Sequence, residues 1–569
     1  MIGLPDENSK KSKKYGAVSI AAIVVVIVFF STNLFAWSKI LLLGQDTDIC
    51  PIVKIERPES FYKDNSTVTN ILQGDEFRKV SAEKLSKAVQ VDTQVYDDPP
   101  EVDSNPEYWA KFKRFHKYLE RTFPTVYEHL EVNTVNTYGL VFYWKGSNSK
   151  LKPLMLTAHQ DVVPVQEETL GDWSHPPFEG YFDGKIMFGR GVADCKNVLV
   201  SIMETLEILI KQDFRPERAI IAAFGMDEEV SGWHGASHIA GYLEERFGKD
   251  GIYAIIDEGA GLTRDPYTGN IIAMPGTGEK GYVDVEISLT TPGGHSSIPP
   301  DHTSVGILSE LAYVIEQEQF EPVLTELNPT LHMLQCQAAH DHRKKIPGIL
   351  RKSILRAGYD KVANSFVLKQ LSKIPSLRYL MQTSQALDII SGGEKINALP
   401  ENAKLLVNHR VAIEKNVDSV KEAITKKVLA VAKKHDVGLN AFGKELLEPT
   451  AKGNFDVHVS GKSTETAPVT PVGDELWGYV AGVTRHIFED YVFTNLTDPV
   501  VVAPAIMTGN TDTRHYWNLT DHIYRYSPMF MLDDFLKDTN VHSVDEHIEF
   551  DNHLRLLAFF YEFIQVVQQ

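Results

Sequence analysis

The chain has 569 residues, a formal net charge of −19 and a pI near 5.5. This acidic balance argues against nucleic acid as the main partner, because binding to phosphates requires a basic surface. The length corresponds to roughly three or four domain-sized units, and a hydrophobic content of 43% is sufficient for a large core.

The amino terminus has the pattern of a membrane signal anchor. Residues 1–15 contain four lysines between positions 10 and 14, and residues 16–37 contain no charged residue. That uncharged length approaches the ~20 residues with which a helix crosses a bilayer. Positive charge ahead of the stretch predicts a cytosolic tail and a luminal body, the topology of a single-pass type II membrane protein. A cleaved signal peptide is the alternative, although no clear small-x-small cleavage site follows.

The sequons fit a luminal body, and the cysteines limit the kinds of metal site that are possible. The three cysteines are Cys50, Cys195 and Cys336. None forms a CxxC pair, which disfavours a thiolate zinc site or a disulfide framework, while a single Cys50–Cys336 bridge stays open. Candidate N-glycosylation sites are Asn65, Asn495 and Asn518.

The order of patterns predicts an α/β fold with an insertion. Residues 38–105 are polar and rich in turn residues, as in a stalk and approach segment. In residues 106–280 an amphipathic helix is followed by apolar runs that alternate with helical patterns. This alternation is typical of a mostly parallel sheet flanked by helices, with functional residues at the carboxyl ends of its strands.

The pattern changes near residue 280. The runs "YVDVEISLTT" and "KLLVNHRVAI" alternate strictly, as half-exposed antiparallel strands do, and a basic helical stretch lies between them. We therefore expect residues 281–450 to form a smaller inserted α+β domain. Residues 451–569 would then complete the catalytic domain.

His159 and Asp161 end the apolar run that begins at Leu154. Side chains two residues apart leave a strand on the same face. Imidazole is a suitable zinc ligand, and a neighbouring carboxylate can hold its second N–H. A structural hydrogen bond would explain an isolated H-x-D equally well, so further ligands are required.

Further candidates follow the later apolar runs. Asp194 comes after a glycine turn, Glu228 and Glu229 end one strand, and Asp257 ends the next. His542 is predicted to lie at the start of the last helix. Single acids at such places commonly cap helices or turns. Their recurrence at successive strand ends favours one shared site.

The motifs H-x-D, G-R-G-x-x-D-x-K, D-E-E-x-x-G, D-E-G, P-G-G-H-S and H-S-x-x-E occur in this order. In these motifs the chain resembles the co-catalytic zinc peptidase family of glutamate carboxypeptidase, aminoacylase and carboxypeptidase S. The likeness covers residues 110 to 569 and is greatest to the carboxypeptidase S branch, the Gly-X carboxypeptidases.

The resemblance implies a site with two zinc ions. Asp194 would bridge them, His159 and Asp257 would complete one ligand set, and Glu229 and His542 the other. The Asp257 ligand is ambiguous by one residue, because Glu258 stands next to it. Asp161 would orient His159, and Glu228 would be the general base acting on a water shared by the zinc ions.

The resemblance also implies residues on the substrate side. His295 would help to hold the tetrahedral oxyanion, in dimers from the partner subunit. Asn397 and Arg410 match an N-x-x-P segment followed by arginine. Arg514, in a G-x-T-D-x-R-like segment, could clamp a substrate carboxylate with two hydrogen bonds, or pair with Asp512 or another acid.

The leading functional hypothesis is a zinc carboxypeptidase that hydrolyses the amide bond before the C-terminal residue of small peptides. An N-acyl amino acid amidohydrolase presents the same amide and carboxylate, and the sequence leaves it open. A membrane-tethered, non-catalytic binding protein is the third hypothesis, which loss of a ligand or of Glu228 would favour. The resemblance further implies a vacuolar location and leaves a homodimer through the inserted domain open.

Overall fold

The computed structural model describes residues 49–532 and 535–568. Among these residues, no helix combines the length and the apolar character that crossing a bilayer requires. The predicted tail at 1–15 and signal anchor at 16–37 lie outside the described residues, as do residues 38–48 of the predicted stalk.

Six helices precede the first strand of the described chain, and helices and strands are then mixed. The α-helices are α1 (Glu59–Lys63), α2 (Ser66–Gln73), α3 (Asp75–Val89), α4 (Pro106–Trp109), α5 (Lys111–Thr122), α6 (Pro124–His129), α7 (Lys196–Lys211), α8 (Ala236–Phe247), α9 (Ser304–Gln317), α10 (Pro329–Ala339), α11 (Gly348–Arg356), α12 (Lys361–Leu371), α13 (Pro375–Met381), α14 (Val417–His435), α15 (Glu475–Ile487), α16 (Phe535–Thr539) and α17 (Phe550–Val566). The strands are β1 (Glu131–Val135), β2 (Gly139–Trp144), β3 (Leu154–His159), β4 (Tyr181–Phe182), β5 (Ile186–Phe188), β6 (Ile220–Gly225), β7 (Ala254–Arg264), β8 (Ile271–Ala273), β9 (Gly276–Glu279), β10 (Gly281–Thr290), β11 (Gly294–His295), β12 (Ser384–Gly392), β13 (Ala398–Leu399), β14 (Asn402–Val411), β15 (Gly438–Ala441), β16 (Lys444–Leu447), β17 (Asn454–Thr464), β18 (Val501–Val502), β19 (Ala505–Met507), β20 (Ile523–Met531) and β21 (His547–Glu549).

The larger sheet has ten strands, in the order β1-β2-β6-β3-β7-β20-β9-β19, with β8 and β18 off this path. Its centre, β6-β3-β7-β20, is parallel, whereas β1, β2 and the β20–β9 pair are antiparallel. The fold is thus α/β with a mixed sheet. The central strands are buried on both faces, which explains their continuous apolar runs.

Helices cover both faces of this sheet. On one side α7, α15 and α17 pack with Leu156, Phe224 and Ile256 in the largest apolar cluster. On the other side α8 packs against Met155 and Ile255. The alternate residues of β3 therefore serve two cores, and the carboxyl end of the strand is left for polar side chains.

The inserted domain is built on a second sheet, in the order β12-β14-β10-β17-β15-β16, with α9 and α14 packed against it. The predicted boundary at residue 450 is wrong. Strand β17 pairs with β10 along most of its length, so the insertion continues to Thr464 before the chain returns to the larger sheet. Sequence alternation in "NFDVHVSGKST" does not say which sheet the strand joins.

The basic helical stretch of the insertion packs elsewhere. Helices α10 to α13 form a separate apolar cluster with Ile272 and Val501, from strands β8 and β18 of the larger sheet. A disulfide between Cys50 and Cys336 joins this cluster to the first described residues. The bridge that the sequence left open is thus present.

The described part of residues 38–105 is not a stalk. Helices α2 and α3 pack on α17 and α7, with Val68, Ile71 and Leu85 fully buried. Lys84 in α3 lies 2.8 Å from Glu204 in α7. Polar residues dominate the segment because only one stripe of each short helix faces the core.

Candidate metal centre

The site forms where the central parallel strands end. Their order β6-β3-β7 brings the carboxyl ends of three strands to one edge of the sheet. There β3 ends in His159, a short 3-10 turn after β6 carries Glu228 and Glu229, and β7 carries Glu258. Asp194 comes from the loop before α7.

His159 is buried and joins two carboxylates. Its Nε2 lies 3.0 Å from Asp194 Oδ1 and 3.3 Å from Glu258 Oε1. The thiol of Cys195 lies in the same group of potential ligand atoms. On the other side of the ring, Nδ1 lies 2.9 Å from the backbone carbonyl of Asp161. A ring that donates from Nδ1 keeps Nε2 available as a ligand.

A second group shares Asp194 with the first. His542 Nε2 lies 3.2 Å from Asp194 Oδ2 and 3.2 Å from Glu229 Oε2. The two oxygens of Asp194 thus face different imidazoles, the arrangement of a bridging carboxylate. His542 lies in the loop between α16 and β21, not at the start of the last helix as predicted, since α17 begins at Phe550.

On β7 the acid that lies nearest the other candidate ligands is Glu258, while Asp257 next to it stays the predicted ligand. The carboxylate of Glu258 groups with the imidazole of His159 and the carboxylate of Asp194, whereas Asp257 belongs to no such group. The pairing of β7 with β20 is irregular between Asp257 and Ala260, so side chains there do not follow strict alternation. Asp257 Oδ1 accepts the backbone N–H of Glu258 at 2.9 Å, and its Oδ2 is buried without a hydrogen-bond partner among the described residues.

Asp161 is fully buried and holds the turn that carries two acids. Its Oδ1 accepts the backbone N–H of Glu228 at 3.1 Å, and its Oδ2 that of Glu229 at 3.1 Å. The distance from Oδ1 to His159 Nδ1 is longer, 3.4 Å. Asp161 thus positions Glu228 and Glu229 as well as His159.

The site has an excess of buried negative charge. Burial raises the pKa of Glu229 to about 7 and that of Glu258 to about 8. Burial opposes ionisation of Asp194, yet hydrogen bonds to His159 and His542 hold its pKa below the usual range. Hydrogen bonds to Asp194 and Glu229 raise the pKa of His542 to about 10. The raised pKa values of these groups favour bound protons, which offset the negative charge of the site. A cation at the same place would offset that charge through the same oxygen and nitrogen atoms.

The residues present fit a pair of metal ions. Glu229 Oε1 is buried without a hydrogen-bond partner among the described residues. The two groups contain carboxylate oxygens and imidazole nitrogens, the donor set that zinc accepts, and their ligand atoms lie within 4.8 Å of one another. Glu228 groups with His159 and Glu229 at the same edge.

Glu546 holds the loop that presents Asp194. This fully buried carboxylate accepts the backbone N–H groups of Gly191 and Ala193, both at 3.0 Å. Its other oxygen pairs with Arg190 at 2.6 Å. Glu546 is the last residue of the H-S-x-x-E motif, and the sequence alone indicated no role for it.

Arg514 reaches the site from the loop after β19. Its Nη2 lies 3.8 Å from Glu228 Oε1, so the acid it approaches is Glu228 and not Asp512. The loop is fixed by Glu279, whose carboxylate accepts the N–H and the hydroxyl of Thr511 and lies 3.0 Å from Arg525. No sequence signal pointed to this buried pair.

The inserted domain contacts the same loop through Arg410, on β14. Its Nη1 donates to Asn510 Oδ1 at 3.1 Å, and Asn510 Nδ2 donates to the backbone carbonyl of Lys280. Arg514 therefore lies in this loop, and Arg410 contacts the same loop from the inserted domain. Two arginines near an acidic centre provide an attractive surface for an anionic group.

The structure does not bring His295 or Asn397 to the centre. His295 lies on the two-residue strand β11 and is exposed, with its Nδ1 accepting from Ser297. Asn397 is exposed in the neighbouring loop. Among the described residues, neither makes a hydrogen bond or ion pair with Glu228 or the candidate ligands.

Comparison with known proteins agrees with this geometry. Residues 155–566, most of the chain, match peptidase family M20/M25/M40. The chain belongs to this family. The matched range includes both groups of candidate ligands and the inserted domain.

Relatives within the family have two kinds of name. The chain is 41% identical over 509 residues to carboxypeptidase S of Saccharomyces cerevisiae, covering 88% of this chain and 87% of that protein. It is 29% identical over 542 residues to the N-fatty-acyl-amino acid synthase/hydrolase of Mus musculus, covering 94% and 96%. Among solved structures, the dipeptidase Dug1p of Saccharomyces cerevisiae superposes with a TM-score of 0.59 at 13% identity, covering 88% of this chain and 98% of that one. That last likeness concerns the fold.

Proposed function

We propose that the chain is a metallocarboxypeptidase that removes the C-terminal residue from small peptides, using two zinc ions per subunit. The observation that carries the proposal is one carboxylate, Asp194, facing His159 and His542 on its two sides, with Glu228 at the same edge. His159, Asp194 and Glu258 would hold one ion, and Asp194, Glu229 and His542 the other. The name of the yeast relative supports the choice of reaction.

When bound, the cations would polarise the scissile carbonyl and lower the pKa of the attacking water. Glu228 accepts a proton from that water as its oxygen attacks the carbonyl carbon. It then donates the proton to the leaving nitrogen as the C–N bond breaks, which gives a free amino acid and a shortened peptide. Asp161 keeps Glu228 in place through the backbone N–H.

Arg514 is proposed to bind the C-terminal carboxylate of the substrate. Its guanidinium already lies 3.8 Å from Glu228, so a carboxylate held there would bring the preceding amide next to the base. Arg410, which bonds Asn510 of the same loop, would support the anion from the inserted domain. Asn397 would require movement of its exposed loop to take part.

A substrate panel tests the proposal. The purified full chain, loaded with zinc, is incubated with N-blocked dipeptides that differ at the C-terminal residue, and with their C-terminal amides. The expected result is release of the C-terminal amino acid from the acids and much slower release from the amides. Equal cleavage of acids and amides would contradict the carboxylate-binding role of Arg514.

The second candidate is hydrolysis of N-acyl amino acids. The mouse relative, 29% identical over nearly the whole chain, supports it. The scissile amide and the carboxylate are the same in both substrate classes, so the centre accommodates either. N-acetyl and long-chain N-acyl amino acids in the panel decide between them by kcat/KM. The third hypothesis, a non-catalytic tethered protein, predicts no turnover in any arm.

Location and assembly are further parts of the proposal. The anchor at 16–37 would place the body in the lumen of the vacuole, where exposed Asn65, Asn495 and Asn518 could be glycosylated. Alkaline extraction of membranes, endoglycosidase shift and immunolocalisation test these points. A chain extracted without detergent would contradict the anchor.

His295 is proposed to act across a homodimer formed by the inserted domain, now bounded by residues 281–464. Its exposure within the single chain leaves it available to a second subunit. If so, mixing His295→Ala and Glu228→Gln chains restores activity, because one of the hybrid dimer's two sites has both residues. Activity that stays absent in demonstrated heterodimers would contradict the shared site.

A further inference from the structure

The first described residues lie beside a basic loop, residues 340–347. Cys50 is bonded to Cys336 in α10, and its backbone carbonyl accepts a hydrogen bond from His340 Nε2 at 2.8 Å. The carbonyl of His340 in turn accepts from Asn270 Nδ2 at 2.8 Å. Cys50, the basic loop and the hairpin between β7 and β8 therefore lie next to one another.

This location is positively charged although the whole chain carries −19. Arg343, Lys344 and Lys345 are consecutive and exposed. The neighbouring acid, Asp341, is turned inward and accepts the backbone N–H of Lys345 at 2.9 Å. Arg343 lies 3.7 Å from Asp498, whereas Lys344 and Lys345 have no carboxylate within ion-pair distance among the described residues.

Exposed apolar side chains flank the lysines. Ile349, at the start of α11, is 42% exposed, and Tyr267, in the β7–β8 hairpin, is 47% exposed. Arg343 Nη1 approaches Gly269 of that hairpin, so Tyr267 and the basic loop are adjacent. Basic residues beside tyrosine and an aliphatic side chain are typical of surfaces that lie at the water–membrane boundary.

We propose that this basic face, defined by Tyr267, Arg343, Lys344, Lys345 and Ile349, lies against the membrane that holds the N-terminal segment, and binds anionic lipid headgroups there. The inference rests on the proposed anchor at 16–37. Only residues 38–48 separate the proposed anchor from the first described residue, and they can span at most about 40 Å when fully extended. A body tethered that closely at Cys50 presents the surroundings of Cys50 to the bilayer.

The test uses the full chain in phospholipid nanodiscs, with a nitroxide attached at Ile349→Cys. Accessibility to oxygen, which concentrates in lipid, is compared with accessibility to a water-soluble nickel complex. With phosphatidylserine present, the label is expected to shift towards oxygen, and the shift should weaken as salt is added. A label at Tyr313→Cys, 63% exposed on α9 of the inserted domain, is the matched control and should stay in water.

Charge reversal identifies the residues responsible. Each basic residue near an anionic surface contributes about a fivefold factor to association, so K344E/K345E should lower the lipid-associated fraction of the label more than tenfold. K426E/K433E, the same change on exposed lysines of α14, should leave it unaltered. A label that stays in water with phosphatidylserine, or that ignores K344E/K345E, overturns the proposal. If alkaline carbonate extracts the chain from membranes, the proposed anchor is wrong. A shift of the label towards oxygen that still requires Lys344 and Lys345 would then support lipid binding by the basic face without the anchor.

Discussion

Glu546 Oε1 accepts the backbone N–H of Asp194 at 3.3 Å. Glu546 follows the candidate ligand His542 by four residues, so one C-terminal segment both supplies a ligand and fixes the loop of the bridging carboxylate. The two groups of ligands are thereby held in register by a residue that is not itself a candidate ligand. Partners of this kind orient ligands and are expected to affect metal affinity directly.

Glu546→Gln should weaken metal retention. Whichever way the amide turns, its NH2 group faces a donor, either the backbone N–H groups of Gly191 and Ala193 or Arg190, and Arg190 loses its charged partner. We expect a loss of about 10- to 100-fold in zinc affinity, as for comparable partners of ligands. Competition with a fluorescent chelator measures it. Asp545→Asn removes the neighbouring acid, which bonds Ser174, and should change the affinity little; equal losses in both variants would contradict the role of Glu546.

Glu228→Gln should abolish turnover while both metals stay bound. A general base contributes typically about 10²- to 10⁴-fold to the rate, and Glu228 completes neither proposed ligand set. The measurement pairs kcat with zinc content by mass spectrometry after dialysis. If Glu228→Gln retained a large part of kcat, another residue would have to carry the proton.

Glu258 and Asp257 can be separated by the same metal analysis. Glu258→Ala removes an oxygen 3.3 Å from His159 and should reduce bound zinc from two ions towards one. Asp257→Asn preserves shape on the other face of β7 and should retain both ions. The reverse outcome would restore Asp257 as the ligand.

Arg514→Lys should impair substrates with a free carboxylate. Lysine keeps the charge but cannot form the paired hydrogen bonds of a guanidinium. We therefore expect kcat/KM for dipeptide acids to fall by about 10- to 100-fold, with little change for the amides. Arg410→Lys tests the supporting arginine of the inserted domain in the same way. A uniform loss for acids and amides would instead indicate that Arg514 acts on Glu228.

Stability should fall in acid because of His553. The ring is fully buried in α17 between the hydroxyls of Ser81 and Ser201, and burial lowers its pKa to about 3. In the unfolded chain His553 binds a proton near pH 6.5, whereas in the folded chain it stays neutral down to about pH 3. The free energy of unfolding therefore decreases as pH falls from about 6.5 to about 3. The contribution is at most about 1.4 kcal/mol per pH unit.

His553→Gln should make that slope shallower. Urea unfolding at several pH values, with chelator present so that metal loss does not contribute, measures it. His129→Gln, at an exposed position, should keep the slope of the parent chain. An unchanged slope in His553→Gln would contradict the buried neutral ring.

The sequence by itself determined the family, because its motifs occur in the order that the family has. The resemblance, and not strand geometry, grouped His159, Asp194, Glu229 and His542, since Asp194 and His542 lie in loops. Tertiary structure decided the rest. Asp257 and Glu258 are adjacent acids in the sequence, and only the structure shows that the carboxylate of Glu258 lies 3.3 Å from His159.

The same holds for the supporting contacts and the boundaries. Glu279 pairs with Arg525, and Glu546 with the Asp194 loop, across long stretches of chain that carry no local pattern. Strand β17 alternates as any half-exposed strand does, and its pairing with β10, not its composition, assigns it to the inserted domain. The local periodicity of a segment indicates which of its side chains are buried. Long-range packing decides which other segments cover those side chains, and the same packing brings the candidate metal centre together.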